Sequence, residues 1–197
     1  MSLCRQPLVG ILLYDDVEVL DFAGPYEVLS ATLDDARVPY CRVVTLGSRH
    51  EVRARGGLRV NVDHLLADAP ALDALVVPGG PGADDPTEEQ ARHLLPFLRA
   101  RAAATPLIAS VCTGAFLLGR AGLLAGGRAT THTDALPAFR REFPDVAVVA
   151  EKVVDEGSVL TAMGVSSGID LALHLLRRWF GEEARARGAR DLDGPWR

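Results

Sequence analysis

Hydrophobic positions along this chain fall into two alternating patterns. Short, nearly continuous apolar runs recur at residues 8–14, 41–46, 74–77 and 107–111. Runs of that length without polar alternation fit strands buried on both faces, as in a parallel sheet. Longer segments with helical spacing stand between them. Residues 21–33 read as a helix whose main part starts at Pro25, because proline is tolerated at a helix start. Residues 87–103 carry Leu94, Leu95 and Leu98 at helical spacing. Further helices are predicted from Ala115 onward, over 134–143 and over 165–180. Two hairpins are expected, one across 51–62 through Gly56-Gly57 and one across 153–160 with its turn at Glu156-Gly157. A short strand is expected at 128–131, and residues 181–197 read as a short helix plus a frayed tail. No linker, repeat or low-complexity block interrupts the alternation. It predicts one α/β domain over residues 1–197, a three-layer sandwich around a mostly parallel central sheet.

Composition narrows the function classes. Hydrophobic residues make up 48% and charged residues 24%, as in ordinary globular proteins. The formal net charge of -5 gives no bias toward nucleic acid or anionic membranes, so neither is expected as a partner. The arginines at 177, 178, 185, 187, 190 and 197 read as a solvated helix face. No apolar run approaches the roughly 20 residues of a membrane span, and the start lacks a signal-peptide pattern. Met1-Ser2-Leu3 reads equally as native or as an added leader. The three cysteines, Cys4, Cys41 and Cys112, are far apart and lack metal-ligand spacing. A reduced, cytoplasmic protein is expected rather than a disulfide scaffold, with Cys4 incidental and Cys41 a small core residue. His50, His64, His93 and His174 share no spacing, and no metal or cofactor is expected.

One segment breaks the pattern in a chemically informative way. The apolar run Leu107-Ile108-Ala109-Ser110-Val111 ends in Cys112-Thr113-Gly114, after which a helical pattern begins. This reads as a strand, a tight turn tipped by a thiol, and a helix whose N-terminus points at the sulfur, the geometry of a nucleophile elbow. Helix N-terminal amides favour negative charge, so the Cys112 thiol is expected to have a lowered pKa and to react as thiolate. In a parallel sheet, two other strand ends converge on the same edge. One carries Asp21 between Leu20 and Phe22, just before Gly24-Pro25. Asp21 has two readings: a helix N-cap, or an acid beside the thiol. The other is Pro78-Gly79-Gly80-Pro81-Gly82. It is a turn signal, and its amides at Gly79 and Gly80, with those of Thr113 and Gly114, are candidates for holding a developing negative charge. His132 follows the 128–131 strand and reads either as a base or as a supporting loop residue.

These segments together resemble the ThiJ/PfpI superfamily, which has the class I glutamine amidotransferase-like, flavodoxin-like fold. The resemblance rests on Leu20-Asp21-Phe22-Ala23-Gly24-Pro25-Tyr26-Glu27-Val28-Leu29, Val76-Val77-Pro78-Gly79-Gly80-Pro81-Gly82, Ser110-Val111-Cys112-Thr113-Gly114-Ala115, Ala129-Thr130-Thr131-His132 and Gly164-Val165-Ser166-Ser167-Gly168-Ile169-Asp170. The chain looks most like the isonitrile hydratase branch and the related ligand domain of AraC-type regulators. Thr113 occupies the position where the protease-like branch has histidine, so the resemblance argues against a peptidase. It implies Cys112 as nucleophile, Asp21 as acid/base residue and Thr113 as an assisting residue. It also implies a small-molecule substrate and a homodimer. The activity implied is hydration of an isonitrile to an N-substituted formamide. The alternatives are glyoxalase or deglycase chemistry on reactive carbonyls, or a ligand- or oxidation-sensing domain; a chain ending at Arg197 is expected to lack a following helix-turn-helix. Departures from the hydratase branch are Thr133 where an aromatic is usual, the bulkier Ala162-Met163-Gly164 and a short C-terminal tail. They bear on the substrate pocket.

Overall fold

A computed structural model describes residues 5–196. Cys4, the Met1-Ser2-Leu3 start and Arg197 lie outside the described residues. In chain order the elements are β1 (Leu8–Leu13), α1 (Val19–Ala31), β2 (Arg42–Gly47), β3 (Glu51–Arg53), β4 (Arg59–Asn61), β5 (His64–Leu65), β6 (Ala74–Val77), α2 (Pro81–Asp84), α3 (Glu88–Ala102), β7 (Leu107–Val111) and α4 (Gly114–Arg120). They continue with β8 (Arg128–Ala129), α5 (Leu136–Glu142), β9 (Ala147–Val148), β10 (Val153–Asp155), β11 (Val159–Ala162), α6 (Ser167–Phe180) and α7 (Glu182–Asp191). Short 3-10 turns stand at Arg55–Gly57, Leu66–Asp68 and Thr133–Ala135.

Seven strands form the central sheet in the order β10-β11-β7-β6-β1-β2-β5, and all neighbours are parallel except β10 with β11. The central strands β6 and β7 are buried at every position. That is why their sequences read as unbroken apolar runs. Helices α1, α6 and α7 pack together on the sheet, and α2, α3 and α4 form a second group against it. The expected sandwich is present. The parallel register pairs Val77 with Ser110 and Ile11 with Val76, so β1, β6 and β7 deliver their C-terminal loops to one edge.

Helix α1 differs from its predicted start. It begins at Val19 and carries Pro25 internally. An internal proline forfeits one backbone hydrogen bond. Tight packing against α6 offsets that loss: a Cβ on Gly24 would lie 3.0 Å from Ile169, and one on Gly168 3.1 Å from Pro25. The short helix expected within residues 181–197 is α7 (Glu182–Asp191), whose Ala184, Gly188 and Ala189 are buried. Its spacing of small residues was hidden within a polar composition. The 128–131 strand is two residues long, and the first turn of the predicted 134–143 helix is 3-10.

Candidate active site

Cys112 follows β7 directly and has φ +56, the left-handed region that a non-glycine residue adopts at a cost of about 1–2 kcal/mol. Its backbone is held in that shape from both sides. The Cys112 N–H donates to the Ala162 and Met163 carbonyls at 3.0 and 2.9 Å, and its carbonyl accepts the Thr131 hydroxyl at 2.9 Å. Two of the sequence segments singled out above thus serve as the clamp of the turn. Gly114 lets the turn pass close beneath the neighbouring strand, since a Cβ there would lie 2.1 Å from the Val77 carbonyl oxygen. The strand–turn–helix elbow expected at Cys112 is present.

Asp21 is completely buried and occupies the third position of α1, so the N-cap reading is corrected; the N-cap residue is Glu18. Its Oδ2 accepts the Gly79 N–H at 2.9 Å, while Oδ1 has no hydrogen-bond partner, although the adjacent Cys112 thiol perturbs the carboxyl's protonation. Burial pushes the Asp21 carboxyl up to about 7, against the lowering pull of the Gly79 amide. Burial also pushes the Cys112 thiol up to about 12, and the Asp21 charge adds to the rise. The expectation of a lowered thiol pKa is therefore corrected. The Thr113 amide and hydroxyl do favour the thiolate, but desolvation and a neighbouring carboxylate outweigh them. The pair therefore holds two protons below about pH 7 and one above it, on the thiol, and its titration belongs to both groups together.

The glycine turn is built inward. Gly79 donates its amide to Asp21, and Gly80 donates its own to Thr113 Oγ1 at 2.9 Å. A Cβ on Gly79 would lie 2.5 Å from the Thr113 nitrogen. Both amides already have protein acceptors, so the expectation that they face a substrate charge is corrected to a supporting one: they fix the carboxyl and the threonine. Tyr14 hydroxyl donates to the Pro78 carbonyl and holds the same loop from below.

Cys112 opens on a cavity of about 270 Å³, shared with Gly80, Thr113 and His132. The Cδ2 edge of the His132 ring abuts Gly164, where a Cβ would lie 2.1 Å from that carbon. Three charged residues of the cavity were missed by the sequence reading: Glu18, Arg55 and Asp84. A larger cavity of about 460 Å³ lies between α6, β10 and the last described residues, lined by Lys152, Asp170 and His174 among others. It holds no thiol and none of the convergent motifs, so chemistry rather than size selects the Cys112 cavity. Among the described residues no cluster of three or more histidine, cysteine, aspartate or glutamate side chains is arranged to hold a metal ion. No described helix is long and apolar enough to cross a membrane.

Comparison with known proteins agrees with this geometry. The chain is 38% identical over 175 residues to isonitrile hydratase of Pseudomonas putida, covering 88% of this chain and 72% of that protein. It is 31% identical over 180 residues to the HTH-type transcriptional regulator GbdR of Pseudomonas aeruginosa, of which it spans 48%. The crystal structure of a ThiJ/PfpI family protein from Pseudomonas syringae superposes with a TM-score of 0.82 at 24% identity, covering 97% of this chain and 76% of that one. With its strand order, its elbow and a match to the DJ-1/PfpI family across residues 8–178, the chain belongs to the DJ-1/PfpI family.

Proposed function

We propose that this protein is a cysteine-dependent hydratase that converts an isonitrile to an N-substituted formamide. The observation that carries the reading is the pairing of Cys112, strained at the wall of a small cavity, with a fully buried Asp21 whose Oδ1 is otherwise unpartnered. The 38% identity to an isonitrile hydratase supports the choice of substrate class.

The chemistry balances without a cofactor. Asp21 takes the thiol proton as sulfur bonds to the terminal isonitrile carbon, and the resulting carboxylic acid returns that proton to the same carbon. The product of this step is an enzyme-bound thioimidate. Water then adds across its C=N bond with one proton passing to nitrogen. The C–S bond breaks, the thiol regains its proton and the formamide leaves. The Thr113 amide and hydroxyl, at the start of α4 just before Gly114, face the sulfur and favour the charge that develops during these steps. His132, at the cavity wall, is available to orient the water. The protein acts in the cytoplasm as a homodimer, a reading that the exposed apolar Leu20 and Tyr26 on α1 support.

A second reading, a ligand- or oxidation-sensing domain, draws on the likeness to a regulator of which this chain spans 48%. Incubating the wild type and Cys112→Ala with cyclohexyl isocyanide and with methylglyoxal separates the possibilities. Formamide that disappears in the variant supports the hydratase. Lactate in its place assigns carbonyl chemistry. No turnover of either, with Cys112 oxidised by mild peroxide, overturns the hydratase in favour of the sensor.

A further inference from the structure

The wall of the Cys112 cavity is not electrically balanced. Four ionisable side chains besides the thiol line it: Glu18, Arg55, Asp84 and His132. Arg55 and Glu18 neutralise each other through a 2.6 Å ion pair. His132 Nδ1 accepts the Asp134 N–H at 3.3 Å and faces the Asp134 carboxylate at 4.0 Å, so that side chain is matched by its own neighbour. Asp84 has no counterion within ion-pair distance among the described residues. Arg120 comes nearest to that role but is engaged elsewhere. It donates to the Ala83 and Asp84 main-chain carbonyls at 2.9 Å each, and it directs Nε and Nη2 at Glu142 at 2.7 and 3.1 Å. Burial pushes the Asp84 carboxyl up; its side chain interacts with Thr113, the residue next to the thiol, and the Arg120 and His132 side chains act on it only from beyond ion-pair distance. Behind Cys112, Asp21 contributes a second carboxyl, buried and with one oxygen unpartnered.

The wall thus carries one carboxylate, Asp84, without a direct ion-pair partner, a second buried carboxyl behind the thiol in Asp21, and no lining cation without a carboxylate of its own among the described residues. We propose that this cavity admits uncharged and cationic electrophiles and rejects anionic ones, with Asp84 as the residue that sets the preference. The inference rests on the reading of this cavity as the reaction site and sharpens its substrate class. The substrate is a small isonitrile with a neutral or amine-bearing substituent. Carboxylate-bearing electrophiles, isocyanoacetate and glyoxylate among them, are excluded by repulsion at a site whose reacting group must itself pass through a negative state.

The test reads charge selection at the thiol without requiring turnover. Cys112 is modified with three methanethiosulfonates of similar size: the neutral methyl, the cationic trimethylammonioethyl and the anionic sulfonatoethyl reagent. Site-resolved mass spectrometry follows Cys112, and each rate is divided by that of the same reagent with 2-mercaptoethanol. We expect the cation to lead the anion by about tenfold or more, the scale of one unit charge a few ångströms away in a partly screened cavity. Asp84→Asn narrows that spread several-fold, and Asp84→Lys inverts it. Equal normalised rates in the wild type, or a spread unchanged by Asp84→Asn, would overturn the inference. Parallel assays with cyclohexyl isocyanide and isocyanoacetate keep the two proposals apart. Charge order at Cys112 without turnover of either compound sinks the hydratase and leaves the selection standing. Equal turnover of both without charge order does the reverse.

Discussion

Cys41 and Cys112 present the same thiol chemistry in two settings. Both are buried, and burial pushes both thiols up to about 12. Cys41 lies just ahead of β2, with the charge of Asp73 adding to the rise. Asp73 is committed to other partners, accepting from Arg5 at 2.8 and 2.9 Å and from the Leu8 N–H at 2.7 Å. Cys112 stands on a strained turn at a cavity wall, beside a carboxyl with one free oxygen. The pair teaches that a thiol's own acidity does not set Cys112 apart from Cys41. Access, backbone geometry and a neighbouring proton acceptor do.

The sharpest way to break the comparison is to remove that acceptor. Asp21→Asn is expected to lower kcat/KM at pH 8 by about 100-fold or more, the usual scale for a lost acid/base group. The same variant is expected to be more stable. The native carboxyl keeps its proton up to about 7, whereas the unfolded one releases it near 3.8. The native state thus binds more protons between those values, and wild-type stability falls as pH rises through that window. Three pKa units at 1.36 kcal/mol each put the loss on the order of 4 kcal/mol above pH 7. Urea unfolding at pH 5 and pH 8 checks this, since the advantage of Asp21→Asn must grow with pH. Wild-type kcat/KM is expected to rise through about pH 7 in step, as the carboxyl that faces the Glu18 charge and the Cys112 thiol gives up its proton.

Next in size is the frame around the turn. Gly114→Ala forces a methyl to within 2.1 Å of the Val77 oxygen and 2.7 Å of the Pro78 oxygen. Both obstacles are backbone, so we expect a loss of about 3 kcal/mol in urea unfolding and a matching drop in turnover. The smallest effect belongs to the other cysteine. Cys41→Ala is expected to cost about 1 kcal/mol of stability with unchanged kcat/KM. Native-state labelling with iodoacetamide is expected to leave Cys41 unmodified while Cys112 reacts slowly. A fall in turnover for Cys41→Ala comparable to that of Cys112→Ala would erase the distinction between the two sites.

Much of the frame was legible because its signals are local. An apolar run that stops at Cys112-Thr113-Gly114 announces a strand, a turn and a helix within eight residues, and Gly79-Gly80 marks a close approach. The cavity wall was not legible for the opposite reason. Glu18 and Arg55 are 37 residues apart, and neither segment signals the other until the hairpin folds back. The acidity of Cys112 was misjudged because the helix N-terminus is visible in the sequence, while the desolvation that outweighs it is a property of packing. Asp21 was offered as a cap or an acid, and only its position inside α1 excludes the cap.

The turn at Cys112 is tied to residues 131, 162 and 163 through its own main chain rather than through its side chain. The chain therefore separates what holds the sulfur from what the sulfur meets. Asp84, Glu18 and Arg55 contribute no bond to that tie, so the electrical character of the chamber is free to diverge among related chains while the geometry at its centre stays the same. One scaffold of this kind supports a family of chambers differing in which molecules they welcome, each reachable by exchanging a few wall residues without rebuilding the joint.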